Sequence, residues 1–164
     1  MSSEAAIILR GVRSRATADV DVIAIADYEL PAQIEAPNPL PDALRRATEL
    51  VSRTYGLSAD WINAVVGHPW KHGPSGMPPG LTDELEWHLT GGLRLGIAGR
   101  QALVALKLYA ASDHALRSVN LEDLRALNPS REELDRAREW IVTQDVSPEF
   151  AGILDQVIDH VTKA

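Results

Sequence analysis

The chain has 164 residues, 45% of them hydrophobic and 24% charged, which predicts one folded domain with a real core and excludes a disordered chain. Its net charge of −7 argues against non-specific nucleic-acid binding, because that binding needs lysine and arginine to neutralise phosphates. An RNA partner would therefore need a local basic patch.

The chain contains no cysteine, which excludes disulfides and thiolate metal sites and leaves carboxylates and histidines as candidate ligands. The opening apolar run is too short for a signal peptide, and no stretch approaches transmembrane length. We therefore expect a cytoplasmic protein without a membrane partner.

Residues 13–25 read as a β-strand that is entered from a basic turn and carries two acids. Asp19 and Asp21 would share one face of this strand, about 7 Å apart. Both faces become apolar further along, as in a strand buried on both sides. Two carboxylates at that spacing can hold Mg²⁺, which commonly uses one or two carboxylates together with phosphate and water. The alternative is a half-solvated strand whose acids simply face water.

Two helices are predicted after a proline-rich loop. Pro41 suits a first helical position, apolar residues then recur at helical spacing, and Gly56 ends the helix. Ser58 is placed to cap a short second helix that runs to Val66. Trp61 in this segment is predicted to anchor the core rather than to stack on a base.

A long loop and a hairpin are predicted next. Glycine and proline dominate residues 67–80, which indicates a lid or a partner-contact loop. Its His68 and His72 suggest zinc, but Pro69 prevents the helix that would align them. Two strands at 84–89 and 93–97 then form a hairpin across Thr90-Gly91-Gly92.

The rest of the chain is predicted to be helical. Residues 100–111 are apolar on nearly every side, which indicates a buried helix with Lys107 as its one interior charge. The Lys107 ammonium either reaches the surface along its stem or meets Asp19, Asp21 or a phosphate, and we favour the second.

Three further helices follow in the predicted order. The first has a buried stripe of Leu121, Leu124 and Leu127. Asp123 lies beside this stripe and is expected to face solvent or to act as a helix cap. The second begins at a capping box formed by Ser130 and Glu133 and runs to about residue 143. The third begins at Ser147-Pro148. We assign no chemistry to the last two helices.

The stretch Arg15-Ala16-Thr17-Ala18-Asp19-Val20-Asp21-Val22 resembles the strand motif of the minimal nucleotidyltransferase superfamily, whose two strand aspartates hold the magnesium of a bound nucleoside triphosphate. The chain most resembles a largely uncharacterised nucleotidyltransferase-like branch related to AbiEii-type toxins. Residues 57–63, 102–110 and 121–127 match that branch as well, in the same order and spacing.

The resemblance implies an α/β (α+β) fold in a single domain. A small mixed sheet of the nucleotidyltransferase type, flanked by helices, would occupy residues 1–98, and a helical part residues 99–164. The protein would bind a nucleoside triphosphate with Mg and transfer a nucleotidyl group to a hydroxyl of RNA or protein.

The site residues implied by the resemblance belong to two groups. Asp19 and Asp21 would ligate the metal as the catalytic pair. The phosphates of the nucleotide would be bound by Arg13, Arg15 and Lys107. Thr17 belongs to the same nucleotide-binding group and would position the turn.

The chain departs from the family pattern at three places. Ser2-Ser3 stands where the family has a Gly-Gly or Gly-Ser pair, Glu86 is the only candidate for a third carboxylate, and Val119-Asn120 replaces the first two residues of Lys-Asp-x-x-Asp. The alternative is therefore a catalytically degenerate binding protein of a toxin–antitoxin-like pair. The apolar run Ala5 to Leu9 is too short to form a stable helix alone, so we expect a longer native N-terminus, a second copy of the chain or a cognate antitoxin-like partner to cover it, a homodimer being the simplest.

Overall fold

In the described residues up to 97, short strands alternate with one helix, and the described elements from residue 100 onward are helices. A computed structural model describes residues 19–26, 34–35, 37, 39–65, 76–113 and 119–163. The strands in these ranges are β1 Val20–Asp21, β2 Ile25–Ala26, β3 Ile34–Glu35, β4 Ile62–Asn63, β5 Glu86–Thr90 and β6 Leu93–Ile97. The helices are α1 Asp42–Tyr55, α2 Arg100–Asp113, α3 Val119–Leu127, α4 Arg131–Gln144 and α5 Pro148–Thr162. The described part is mixed α/β, as predicted.

The described strands form three two-stranded sheets: β1 with β4 in parallel, and β2 with β3 and β5 with β6 in antiparallel. The prediction of one strand through residue 25 is wrong in its described part, because β1 ends at Asp21, the Val22 N–H makes the last hydrogen bond to β4, and β2 begins only at Ile25. The reason is that β1 and β2 have different partners. Between them Ile23, only 2% exposed, packs into the core.

The helix predicted to begin at Ser58 is also wrong. The carbonyl of Trp61 accepts a hydrogen bond from the Val20 N–H at 2.6 Å, and the carbonyl of Asn63 accepts one from the Val22 N–H at 2.7 Å. These carbonyls therefore accept hydrogen bonds from β1 and from the residue that follows it, instead of from the next turn of a helix. Trp61 is half-buried and donates its indole N–H to the Thr48 carbonyl at 3.1 Å, which ties β4 to α1.

The hairpin and the first helix are confirmed. Gly91 and Gly92 have φ angles of 53° and 83°, and a two-residue turn with both φ values positive matches the twist of the flanking strands. Helix α1 ends at Gly56, whose φ of 66° is the left-handed conformation that closes many helices.

Helix α2 is the centre of the core, as its apolar sequence predicts. It packs against α3, α4 and α5, and its Leu103, Val104 and Leu108 are completely buried. On one side Tyr109 meets Trp140 and Phe150 edge to face, with ring centroids 6.1 and 5.8 Å apart. Such contacts favour a single packing of α2 against α4 and α5.

The predicted capping box is present at the start of α4. Ser130 accepts a hydrogen bond from the Glu133 N–H at 3.2 Å, and Glu133 accepts one from the Ser130 N–H at 2.7 Å. Glu133 also accepts one from Arg100 at 2.6 Å, and this bond lowers the pKa of the Glu133 carboxyl below its usual value. Its stabilising contribution is therefore complete above the ordinary carboxyl pKa and is lost as the pH falls through the lowered one.

Replacing Ser130 with alanine should lower the free energy of unfolding by about 1 kcal/mol, because the Glu133 N–H loses its acceptor. Urea denaturation measures this change. Ser147→Ala, which removes the acceptor of the Phe150 N–H at the start of α5, should cost a similar amount, because each substitution removes one side-chain acceptor. A Ser130→Ala protein as stable as the wild type would contradict the contribution of this cap.

Within the described ranges, no helix has the length and apolar character needed to cross a bilayer.

Candidate functional site

The two predicted metal ligands lie at and just before the short strand β1. Asp21 is the second residue of β1, Asp19 directly precedes the strand, and both side chains are half-buried. The parallel register places Asp21 opposite Asn63 of β4. Paired residues of neighbouring strands leave the sheet on the same side with their backbones about 5 Å apart, so a carboxylate and a carboxamide stand next to each other.

The side chain of Asn63 is held in a defined orientation. Its Oδ1 accepts a hydrogen bond from the Val65 N–H at 3.0 Å, which forms a small turn at the end of β4. Because a backbone N–H needs an acceptor, the amide oxygen must face Val65 and the amide NH₂ must face away from it. Asn63 escapes prediction from the sequence, because a helix beginning at Ser58 would not bring it beside Asp21.

The described residues include no group of three or more His, Asp or Glu side chains that could hold a metal ion. A magnesium ion at Asp19 and Asp21 would thus have two protein carboxylates, and phosphate and water would complete its oxygen shell. That set fits Mg²⁺, which is usually held by few carboxylates and by its substrate.

Glu86, the predicted candidate for a third carboxylate, lies at the start of β5 and is exposed. Its carboxylate lies 3.1 Å from His88 Nε2, and the described hydrogen-bonding partner of β5 is β6. The described strand pairing therefore does not connect Glu86 to β1.

Lys107 has a different environment from the one expected of a surface lysine. Its Nζ lies 2.8 Å from the Asp123 carboxylate and donates to Asn120 Oδ1 at 3.0 Å. The side chains of Lys107 and Asp123 are both 0% exposed. The alternative in which Lys107 reaches the surface is wrong, and so is the expectation that Asp123 is solvated.

Helix packing explains this buried pair. Asn120 and Asp123 are three residues apart on α3, so they lie on one side of the helix and both face Lys107 on α2. Removing the two charges from water costs several kcal/mol each, and good geometry with added hydrogen bonds is what offsets that cost. The spacing Asn120-x-x-Asp123 was the available sequence signal, but the leucine stripe favoured a solvent-facing position for Asp123.

The predicted residues are therefore only partly located. Asp19 and Asp21 lie on consecutive positions of one face if the extended backbone continues through Val20. Lys107 lies with Asp123 and Asn120, and its predicted meeting with Asp19 and Asp21 stays a prediction. Arg13, Arg15 and Thr17 lie outside the described residues, as do residues 1–11 and the two histidines of the long loop.

Comparison of the chain with models of known protein families, with characterised proteins and with solved structures found no match.

Proposed function

We propose that this chain is a nucleotidyltransferase-like protein of the branch related to AbiEii-type toxins. It binds a nucleoside triphosphate with magnesium and transfers a nucleotidyl group to a hydroxyl of RNA or protein. The observation that carries the proposal is the Asp19-Val20-Asp21 segment, in which two half-buried carboxylates are held at a strand in parallel register with β4. A mixed sheet of the nucleotidyltransferase type, with β1 and β4 as neighbouring strands, is part of this proposal.

Asp19 and Asp21 would hold the magnesium, which when bound neutralises charge on the phosphates and activates the α-phosphate for attack. The two carboxylates fix its position relative to the strand. Arg13 and Arg15 would bind phosphate oxygens through paired N–H groups, and Thr17 would position the turn that carries them.

Lys107 would bind phosphate as a point charge. Its ammonium lies 2.8 Å from the Asp123 carboxylate and donates to Asn120 Oδ1 at 3.0 Å. Asp123 and Asn120 would therefore hold the Lys107 ammonium in a fixed position, which is the preorganisation that an electrostatic contact with a phosphate needs.

The second candidate is a catalytically degenerate binding protein, one component of a toxin–antitoxin-like pair or a homodimer. The position of Glu86 on the exposed hairpin favours it, because a third carboxylate would ordinarily help to activate the attacking hydroxyl. Such a protein would still bind the nucleotide but would not transfer it.

Isothermal titration calorimetry with ATP, CTP and GTP in the presence of Mg²⁺ tests the proposal. The wild-type protein should bind at least one of the three. Asp19→Asn combined with Asp21→Asn should weaken that binding by about a hundredfold or more, because two charged metal ligands are lost. Thermal unfolding should show that the double variant is folded.

The matched control is Asp135→Asn combined with Asp159→Asn, which makes the same charge change on the exposed sides of α4 and α5. It should bind like the wild type. Unchanged affinity in the Asp19 and Asp21 double variant would remove the metal site, and a wild type that binds none of the three nucleotides would remove the proposed function. Incubation with α-³²P-labelled nucleotide and total RNA or protein then separates transfer from binding alone.

A further inference from the structure

Asn63 brings an unused hydrogen-bond donor next to the acids of β1. Its oxygen accepts a hydrogen bond from the Val65 N–H, which fixes the orientation of the amide and directs the two N–H bonds of Nδ2 away from Val65. Among the residues that the structure describes, none accepts a hydrogen bond from Nδ2. Asn63 is half-buried.

The register makes this donor relevant to the acids. Asp21 and Asn63 are paired residues of β1 and β4, and the hydrogen bonds from Val20 and Val22 to the carbonyls of Trp61 and Asn63 hold that register on both sides of Asp21. A shift by one residue would turn Asn63 to the other face. Its position beside Asp21 is therefore a property of the strand pairing and not of a flexible side chain.

We propose that Asn63 is a phosphate-binding residue that donates its Nδ2 N–H to an oxygen of the triphosphate bound at Asp19 and Asp21. This inference rests on the proposed function. The hydrogen bond from Val65 turns Oδ1 toward the end of β4 and Nδ2 away from it, so the contribution assigned to Asn63 is the neutral donor of its NH₂ group. A hydrogen-bond donor favours phosphate binding at this place. The two carboxylates beside it repel phosphate oxygens unless a cation or a donor offsets that repulsion.

The alternative is that Asn63 only shapes the turn at the end of β4. The two roles respond differently to an isosteric change. Aspartate keeps an oxygen for the Val65 N–H and is as good a turn residue as asparagine, but it replaces the NH₂ donor by a negatively charged acceptor. Serine likewise keeps an acceptor for the turn and lacks the NH₂ group, without adding charge.

The test is calorimetry with inorganic triphosphate and with ATP, each with Mg²⁺, on the wild type, Asn63→Asp and Asn63→Ser. If Asn63 binds phosphate, both variants should lose affinity for both ligands, by roughly tenfold to a hundredfold, the range expected for a hydrogen bond to a charged group. Gln156→Ser, which removes an exposed amide from α5, is the control and should bind like the wild type. Because aspartate also adds a charge that repels phosphate, the uncharged variant decides; if the serine variant fails to fold, Asn63→Thr, which also keeps an acceptor for the turn and adds no charge, takes its place.

The outcomes separate this inference from the proposed function. Wild-type affinity in both Asn63 variants would overturn the role of Asn63 and leave the nucleotide site intact. A loss for ATP without a loss for inorganic triphosphate would also overturn it, because the acceptor would then lie on the nucleoside. A wild type that binds neither inorganic triphosphate nor any of ATP, CTP and GTP would overturn the proposed function itself, and this inference with it.

Discussion

Replacing Lys107 with methionine is expected to lower the free energy of unfolding by about 3–5 kcal/mol. Methionine fills a similar volume but removes the ammonium 2.8 Å from the Asp123 carboxylate, in a place where both side chains are 0% exposed. Water cannot replace the lost partner without opening the packing between α2 and α3. Urea denaturation followed by circular dichroism measures the loss.

Lys163→Met is the matched control. Lys163 also lies 2.8 Å from an aspartate, Asp159, but the two side chains are 75% and 60% exposed, so water replaces the lost contact and stability should hardly change. Combining Lys107→Met with Asp123→Leu should restore most of the lost stability, because the double change leaves neither charge buried. An unchanged free energy of unfolding in Lys107→Met would contradict the burial of this pair.

Replacing Gly99 with alanine is expected to cost about 3 kcal/mol, the sum of overpacking and of a weakened helix start. A Cβ on Gly99 would overlap the Cβ of Glu84 and would lie 2.7 Å from the Glu84 backbone oxygen. The Glu84 carboxylate accepts hydrogen bonds from the Gln101 N–H at 3.0 Å and from Gln101 Nε2 at 2.6 Å, at the start of α2. To make room, Glu84 must move away, and these bonds at the positive end of α2 are weakened.

The same substitution at Gly152 should have the opposite sign. Gly152 lies in α5, and a Cβ added to it would have nothing within 4 Å, so alanine there only improves helix propensity, by about 1 kcal/mol. Thermal and urea unfolding of the two variants provide the comparison. A Gly99→Ala protein as stable as the wild type would show that the segment before α2 is not held against the helix start.

Elements whose signals are local could be predicted from the sequence. The Ser130 and Glu133 pair marked the start of α4, Gly56 marked the end of α1, and Gly91-Gly92 marked the hairpin turn. In each case the deciding bonds connect residues within five positions of each other. The apolar residues on nearly every side of α2 likewise predicted a helix that its neighbours bury, because none of its faces could be left in water.

The candidate site depends on contacts between distant residues, and there the sequence succeeded only in part. It identified Asp19 and Asp21 as candidate metal ligands because they alternate along a predicted strand. It identified Lys107 because this lysine is the one charge inside an apolar helix. It did not identify Asn63 or the partner of Lys107. The segment 58–66 has a helical start signal at Ser58, yet two carbonyls in it bond to β1, more than 40 residues earlier in the chain. Pairing with a distant strand outweighs a weak local preference.

The sequence by itself determined the mixed α/β class, the order of the helices from α2 to α5 and the caps of α4 and α5, because helical periodicity and capping depend on neighbouring residues. Only the tertiary structure decided that Asp21 stands opposite Asn63 and that Lys107 is neutralised by Asp123. Strand register is set by which residues pair across the chain, and a buried charge accepts whichever partner packing brings within 3 Å. Neither is encoded in the residues adjacent to it.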